Sequence, residues 1–481
     1  MKHRSLPLSC AIAATLLAAC ASDPPPRVDD AELQIDVPAD WSARAASAAN
    51  DDQDAQLRSD WWKQFGDERL DRLVAAGLEH NRDLRASAAR LQAAAAAHRI
   101  AGGPLLPELD LAFDANRSRR VFIGFPFGGG GVPSSTFTTY GLSLGVRWEL
   151  DIWGRLSSAD RAALADQEAA LHDLQAARLS LVAQICRAWF AAVEAREQLA
   201  LAEATAEAFE RTLADVRDRF RRGVRPALEV HQAATNLANA EANTAQRREL
   251  LQRALRQLDV LVGRYPDGAF DATASLDVTL DDVPAGLPAD LLLRRPDLRA
   301  AERRVAAAGC RVDSARAALW PKLALTASGG TTSTDLEDLV DSDFRVWSVG
   351  ANLLEPLFRG GALRAEVARQ QAVRAEAFAN YGSAVLRAFG EVEDILATEQ
   401  QLQQRRAHLS DAARHAAQAR DLARERWQLG LTDFLAVADG QRQAFQTESA
   451  RITITRQRLD NRIDLLLALG GGYGEQENES E

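Results

Sequence analysis

Apolar positions along this chain follow two rhythms in a fixed order. From residue 67 to about residue 100 the chain is Ala-rich, with Leu70, Leu73, Leu84 and Leu91 at helical spacing, and Pro104 and Pro107 close the segment. Leu109, Leu111 and Phe113 then alternate with polar residues, which predicts a strand with one apolar face. Residues 116–134 read as a loop that holds the glycine run Gly128–Gly131 and Pro133, and Leu142, Leu144, Val146 and Trp148 alternate again as a second strand. The segment from Arg155 to Arg222 contains neither proline nor glycine, and Leu164, Leu171, Leu174, Leu181 and Ile185 recur in it at coiled-coil-like intervals. At about 1.5 Å per residue such a helix is roughly 100 Å long, with its charged remainder a solvated face.

The succession occurs twice. Asn81-Arg82-Asp83-Leu84-Arg85-Ala86 matches Arg295-Pro296-Asp297-Leu298-Arg299-Ala300, and Leu106-Pro107-Glu108-Leu109 matches Trp320-Pro321-Lys322-Leu323, both 214 positions later. Arg217–Gly223 matches Arg424–Gly430, and Leu258–Gly263 matches Leu465–Gly470, 207 positions later. The extra residues of the first copy therefore fall between its proline pair and its later helices, where the glycine run sits. In the second copy, Leu323 and Leu325 begin one strand, a loop surrounds residues 331–343, and Val349, Ala351 and Leu353 form the other.

A globular domain cannot enclose a straight helix of that length. Two strand pairs cannot close a barrel, and an open sheet edge within a membrane leaves backbone groups unpaired. Both difficulties disappear if several chains pool their strands into one barrel and their helices into one tube. The expected fold class is mainly α with membrane β, built from two internal repeats.

The start of the chain reads as a targeting segment. Lys2, His3 and Arg4 precede an apolar run too short for a permanent span, which ends in Leu17-Ala18-Ala19-Cys20. Small residues ahead of Cys20 form a lipoprotein cleavage pattern, so residues 1–19 are expected to be removed and Cys20 to carry covalent lipid. Ala21 rather than Asp follows, which favours sorting to the outer membrane, and Pro24–Pro26 begin a linker. Cys186 and Cys310 then remain, too few for a disulfide framework, and are expected to be apolar packing residues.

Composition narrows function mainly by exclusion. The net charge is −11 and lysine occurs only at positions 2, 63 and 322, so no basic face for nucleic acid is expected. The seven histidines form no metal-spaced cluster, and there is neither a Walker loop nor a nucleophile elbow. The glycine run lacks the strand-to-helix context of a phosphate loop. No enzyme activity and no cofactor beyond the Cys20 lipid are expected.

Several motifs in combination resemble the outer-membrane efflux proteins of the TolC type, in the NodT/OprM-like lipoprotein branch. They are Trp61-Trp62 with Phe65-Gly66-Asp67 and Leu70; Trp148-Glu149-Leu150-Asp151 ahead of Gly154; Arg294–Glu302; Pro356-Leu357-Phe358 with Gly360-Gly361; and glycine tips at Gly223 and Gly430. The resemblance runs from about Trp61 to Gly470. It implies a homotrimer whose four strands per chain form a shared twelve-stranded barrel in outer-membrane lipid. Long helices would form a periplasmic α-barrel. The implied organisation is a lipidated linker and equatorial segment at 20–60, repeat one at 61–263, an equatorial connector at 264–290, repeat two at 291–470, and a disordered acidic tail at 471–481.

The resemblance further implies a passive channel that exports small molecules from an inner-membrane pump through a periplasmic adaptor. Protein secretion of type I is the alternative, and a poreless structural coiled coil is a third reading that the strand pairs disfavour. The implied adaptor-contacting tips are Gly223, Val224, Gly430, Leu431 and Thr432. The implied gate comprises Leu435 in an apolar ring, Asp439 in an acidic ring with Arg442 as its basic partner, and Glu229 on the other tip. Without the resemblance, Gly223 and Gly430 are hairpin turns and Asp439–Arg442 an ordinary exposed helix pair. Ala436 stands where TolC has an acid, so fewer charges are expected at this gate, and Arg225-Pro226 alters the first tip.

Overall fold

A computed structural model describes residues 25–26, 35, 41, 60–123, 134–280 and 294–471. Cys20, the glycine run, most of the 20–60 linker, the end of the 264–290 connector and residues 472–481 lie outside the described residues. After a short 3-10 turn at Trp61–Phe65, the elements are α1 (Glu68–His80), α2 (Arg82–Gly102), β1 (Glu108–Val121), β2 (Ser134–Leu150), α3 (Arg155–Arg221) and α4 (Ala227–Leu261). The second copy gives α5 (Pro296–Ala317), β3 (Lys322–Ser333), β4 (Arg345–Leu354), α6 (Ala362–Gln428) and α7 (Phe434–Ala468). Both long helices, α3 and α6, have 67 residues, and both returning helices, α4 and α7, have 35.

The sequence pattern over residues 67–100 predicts one helix, and the structure breaks it. Asn81 adopts φ −59° and ψ 132°, ending α1. Its Oδ1 accepts the Leu84 N–H at 2.9 Å while its Nδ2 donates to the Leu261 carbonyl at 2.9 Å. A side chain that caps the next helix and binds a distant carbonyl offers the backbone a better alternative than continued helix. Asp67 caps α1 in the same manner, accepting from the N–H groups of Arg69 and Leu70.

The chain divides into two compact units. One contains the sheet and the adjoining helix segments, within Leu91–Ala170 and Ala301–Tyr381. Its four strands are antiparallel in the order β1-β2-β3-β4. β1 extends to Val121 and β3 to Ser333, past residues 116 and 331 where the sequence predicts loops. Arg117-Ser118-Arg119-Arg120 looks like a loop because neither parity is apolar, yet each residue keeps its partner on β2.

Pairing follows one register throughout, with no bulge in any of the three ladders. Alternation therefore sorts every strand residue onto one of two faces. One carries rows such as Leu109–Val146–Ala327–Val349 and Leu111–Leu144–Gly329–Trp347. The other carries Glu108, Asp110 and Asp114 of β1, Arg147 of β2 and Lys322 of β3. Where strands meet helices, Trp153 and Trp320 stack with ring centroids 5.2 Å apart, and Trp153 Nε1 donates to the Pro321 carbonyl at 2.9 Å. Below them α3 and α5 touch through Ala165, Ala306 and Ala307, whose small side chains allow close approach.

The other unit is organised on a core that includes Leu70, Val74, Ile185, Trp189, Phe190, Leu258 and Ile463, all essentially solvent-free. Burying a side chain of this size contributes roughly 1.5–3 kcal/mol relative to exposure. Trp189 also donates Nε1–H to Asp67 Oδ2 at 2.9 Å, so the cap of α1 and the core share one carboxylate. The stretch 264–280 has no helix or strand but buries Ala272 and Leu276 against this core. Cys186 is a buried free thiol held neutral by desolvation, as its packing reading anticipated. Cys310, in the sheet-bearing unit, is likewise buried and free.

Repeat symmetry reappears here at atomic detail. Gly263 follows α4 with φ +76° and Gly470 follows α7 with φ +87°. A Cβ at Gly263 would lie 2.5 Å from the His80 carbonyl oxygen, and one at Gly470 would lie 2.8 Å from that of Arg294. Both positions need glycine twice over, for the left-handed backbone and for the close carbonyl.

Candidate gate at the helix tips

α3 and α4 meet at one tip, α6 and α7 at another. Each turn is closed by the same pair of hydrogen bonds. Gly223 N–H donates to the Phe220 carbonyl at 2.9 Å and Val224 N–H to Arg219 at 3.0 Å. In the second copy Gly430 N–H donates to Trp427 at 3.0 Å and Leu431 N–H to Arg426 at 2.8 Å. With φ +74° at Gly223 and +77° at Gly430, both are glycine-terminated helix ends of the Schellman kind. The returning helices start differently. Asp433 accepts the Ala436 N–H at 3.0 Å, whereas Pro226 has no side-chain oxygen to offer α4.

A small core joins the two tips: Leu213 and Val216 of α3, Ala233 of α4, Trp427 of α6, and Phe434, Val437 and Ala438 of α7. Trp427 packs edge-on to Phe434 at 6.3 Å, and the Arg219 guanidinium lies over its ring. Farther along, buried Gln441 donates Nε2–H to Thr212 Oγ1 at 3.1 Å.

The expected gate residues are placed as follows. Leu435 is two-thirds exposed at the first turn of α7. Asp439 and Arg442 form an ion pair one turn on, with both side chains exposed. Glu229 is not at the surface in the same way: it pairs with Arg225 at 3.5 Å, both side chains are largely covered, and its Oε2 has no partner among the described residues. Val224 and Leu431 are exposed apolar tip residues, Gly223 and Gly430 make the turns, and Thr432 is half-buried. Within this chain the structure thus brings Asp439 to Arg442 and leaves Leu435 largely exposed.

Two features escaped the sequence reading. Leu228 is the repeat counterpart of Leu435 and is equally exposed on the first turn of α4, so each chain presents two such leucines. The repeat offset alone would have found it. The second feature is a charged cluster on α3 and α7, where Arg456 pairs with both Glu194 and Asp460, and Arg187 pairs with Asp464. Burial raises the Asp460 carboxyl from 3.8 to about 6, against the pull of Arg456, and Asp464 adds to the rise. Charges at mid-helix look solvated in sequence, and only packing shows otherwise. Among the described residues no group of three or more His, Cys, Asp or Glu side chains is arranged to hold a metal ion.

A bulge-free sheet with one apolar face, two open edges and paired long helices is the architecture of an outer-membrane duct component. The chain belongs to the outer membrane efflux protein family, whose family model matches residues 73–264 and 287–471. It is similar to the pyoverdine export outer membrane protein OpmQ of Pseudomonas aeruginosa, with 32% identity over 98% of this chain and 97% of that protein. Against the outer membrane protein OprJ of Pseudomonas aeruginosa it is 33% identical over 90% of each. Among solved structures, the outer-membrane channel OprN superposes with a TM-score of 0.85 at 29% identity, covering 94% of this chain and 100% of that one. The protein is an outer-membrane component of an efflux system, mainly helical, with its two repeats each supplying a strand pair.

Proposed function

We propose that three copies of this chain close a twelve-stranded barrel in the outer membrane and line a passive duct for small molecules. The observation that carries this reading is the apolar band on one face of the sheet at its helix-proximal end, together with the open edges of β1 and β4. In lipid those edges need partners, and β4 of one copy against β1 of the next supplies them. The polar face then lines the lumen. An inner-membrane pump delivers cargo through a periplasmic adaptor that seats on the tips at Gly223, Val224, Gly430, Leu431 and Thr432. Leu435, Asp439, Arg442 and Glu229 form the gate behind them. The chain carries no catalytic step, and transport energy comes from the pump. Cys20 carries the lipid that tethers the linker; Cys20→Ser should block processing, and an unlipidated mature N-terminus by mass spectrometry would remove the anchor.

Small molecules are favoured over protein cargo because the similar proteins include a pyoverdine exporter and toluene efflux components. The test combines light scattering of the detergent-purified protein with planar-bilayer recording. A trimer that forms discrete ion channels is expected. A folded monomer, or a trimer without conductance, would overturn the shared-barrel reading.

A further inference from the structure

The apolar face of the sheet holds three charged residues, and their placement is one-sided. By register that face comprises the odd positions of β1, the even positions of β2, and the odd positions of β3 and β4. Its charged members are Arg117, Arg119 and Arg345; it has no carboxylate. Arg117 and Arg119 lie opposite Thr138 and Thr136, beyond Tyr140 on β2, whereas Arg345 begins β4 opposite Thr331 and so in the row of Leu142. All three stand at the hairpin end of the sheet, because each strand joins its helix at the other end. All three are exposed. Arg119 donates to Ser134 Oγ at 2.9 Å, and among the described residues Arg117 and Arg345 have no hydrogen-bond or ion-pair partner.

Distance along the sheet sets their depth. The apolar run on β2 extends from Leu150 to Tyr140. At about 3.3 Å per residue and a tilt of about 40°, it spans roughly 25 Å of height, the apolar thickness of an outer-membrane barrel. Arg117 and Arg119 then emerge two and four residue pairs above the apolar band, at headgroup level, and Arg345, in the row of Leu142, stands at the upper margin of the band, from which its long side chain reaches the same level. This placement rests on the barrel reading, which puts the helices in the periplasm and the hairpins outside.

We propose that Arg117, Arg119 and Arg345 form a belt that binds the phosphate groups of the glycolipid in the outer leaflet. Guanidinium groups suit phosphate, because their paired N–H donors meet two oxygens at once and they shed water more readily than an ammonium. The β3–β4 connection beyond the belt carries Asp335, Glu337, Asp338, Asp341 and Asp343, which repel phosphate. Contact is therefore confined to strand level, where the outward face is purely cationic. In the trimer the belt repeats three times, so one assembly holds lipid all around its rim.

The test uses the full-length trimer in detergent, titrated with lipopolysaccharide or with its dephosphorylated form, bound lipid being counted by native mass spectrometry. The wild type should hold the phosphorylated lipid more tightly, by about fivefold for each arginine engaged. Combined replacement R117Q, R119Q and R345Q should abolish that preference, while R117K, R119K and R345K should keep part of it. Arg117→Gln alone should weaken it measurably should the triple variant fail to assemble. Equal retention of both lipids by the wild type, or an unchanged preference in an assembled glutamine variant, overturns the belt. Bilayer conductance is recorded on the same preparations: a wild type without channels fails the barrel reading, whereas a conducting wild type indifferent to phosphate fails only the belt.

Discussion

Arg219 of the first repeat lies over the indole of Trp427 in the second, its guanidinium carbon 4.2 Å from the ring centroid. The same guanidinium donates to the carbonyls of Trp427 at 3.2 Å and Gln428 at 3.0 Å. One side chain thus holds the C-terminal end of α6 to α3, meeting both the ring and the carbonyls that the last helical turn leaves unpaired. The repeat counterparts Arg426 and Phe220 make no such contact, and Phe220 is exposed where Trp427 is buried.

Removing this clasp should loosen both tips. Arg219→Gln is expected to cost about 1–2 kcal/mol of local stability, and Trp427→Ala about 3–5 kcal/mol. Hydrogen exchange should speed up together in residues 212–224 and 424–438. Faster exchange in one tip only would mean that the tips open independently.

Asp439 and Arg442 are paired on an exposed helix face, where such pairs contribute a few tenths of a kcal/mol. If three copies of Asp439 meet near the axis, their effect on ions is larger than the pair's effect on folding. Asp439→Ala should raise bilayer conductance and weaken cation preference, with the thermal midpoint shifted by less than a degree or two. Unchanged conductance and selectivity would reduce Asp439 to a solvated helix residue.

Asp460 should make stability depend on pH in an unusual direction. Its folded-state pKa, near 6, is above the ordinary 3.8, so the folded chain binds this proton more tightly than the unfolded chain. The charged form therefore opposes folding above pH 6, and the penalty fades as pH falls towards 4. Its full size is up to about 3 kcal/mol per chain. Asp460→Asn should be more stable than wild type at pH 7.5, with the gap closing by pH 4. A gap that stays constant across that range would show that the substitution acts through packing instead.

The glycines after the returning helices should be equally intolerant in the two repeats. Gly263→Ala and Gly470→Ala each force a Cβ against a backbone carbonyl from a left-handed conformation. Each should lose at least about 1–2 kcal/mol, read as a lower detergent-resistant assembly temperature. Gly223→Ala meets open space and should cost only the backbone strain. Equal effects at Gly223 and Gly263 would show that the carbonyl contacts yield.

Much of this fold is legible in the sequence because its elements are long. The interval from Arg155 to Arg222, free of proline and glycine, predicts a helix within one residue of α3, and the alternation from Leu142 to Trp148 lies inside β2. Where reading failed, a tertiary partner decided the outcome. Asn81 breaks a helix because the Leu261 carbonyl, far along the chain, takes its amide. Arg117 to Arg120 are strand because β2 continues beside them. Of the tip residues, the glycine turns follow from local chemistry, while the covering of Glu229 and the protonation of Asp460 depend on neighbours from other turns and helices.

The unequal tips impose a counting rule on whatever docks there. If three chains form the duct as proposed, they offer six hairpins of two kinds: one has Arg225-Pro226 and a covered Glu229, the other Asp433 and an open Asp439–Arg442 pair. A partner that reads charge saturates at three copies per duct. One that grips only the shared glycine turn and its exposed leucine saturates at six, with two classes of affinity. Stoichiometry alone therefore reports which chemistry the partner uses.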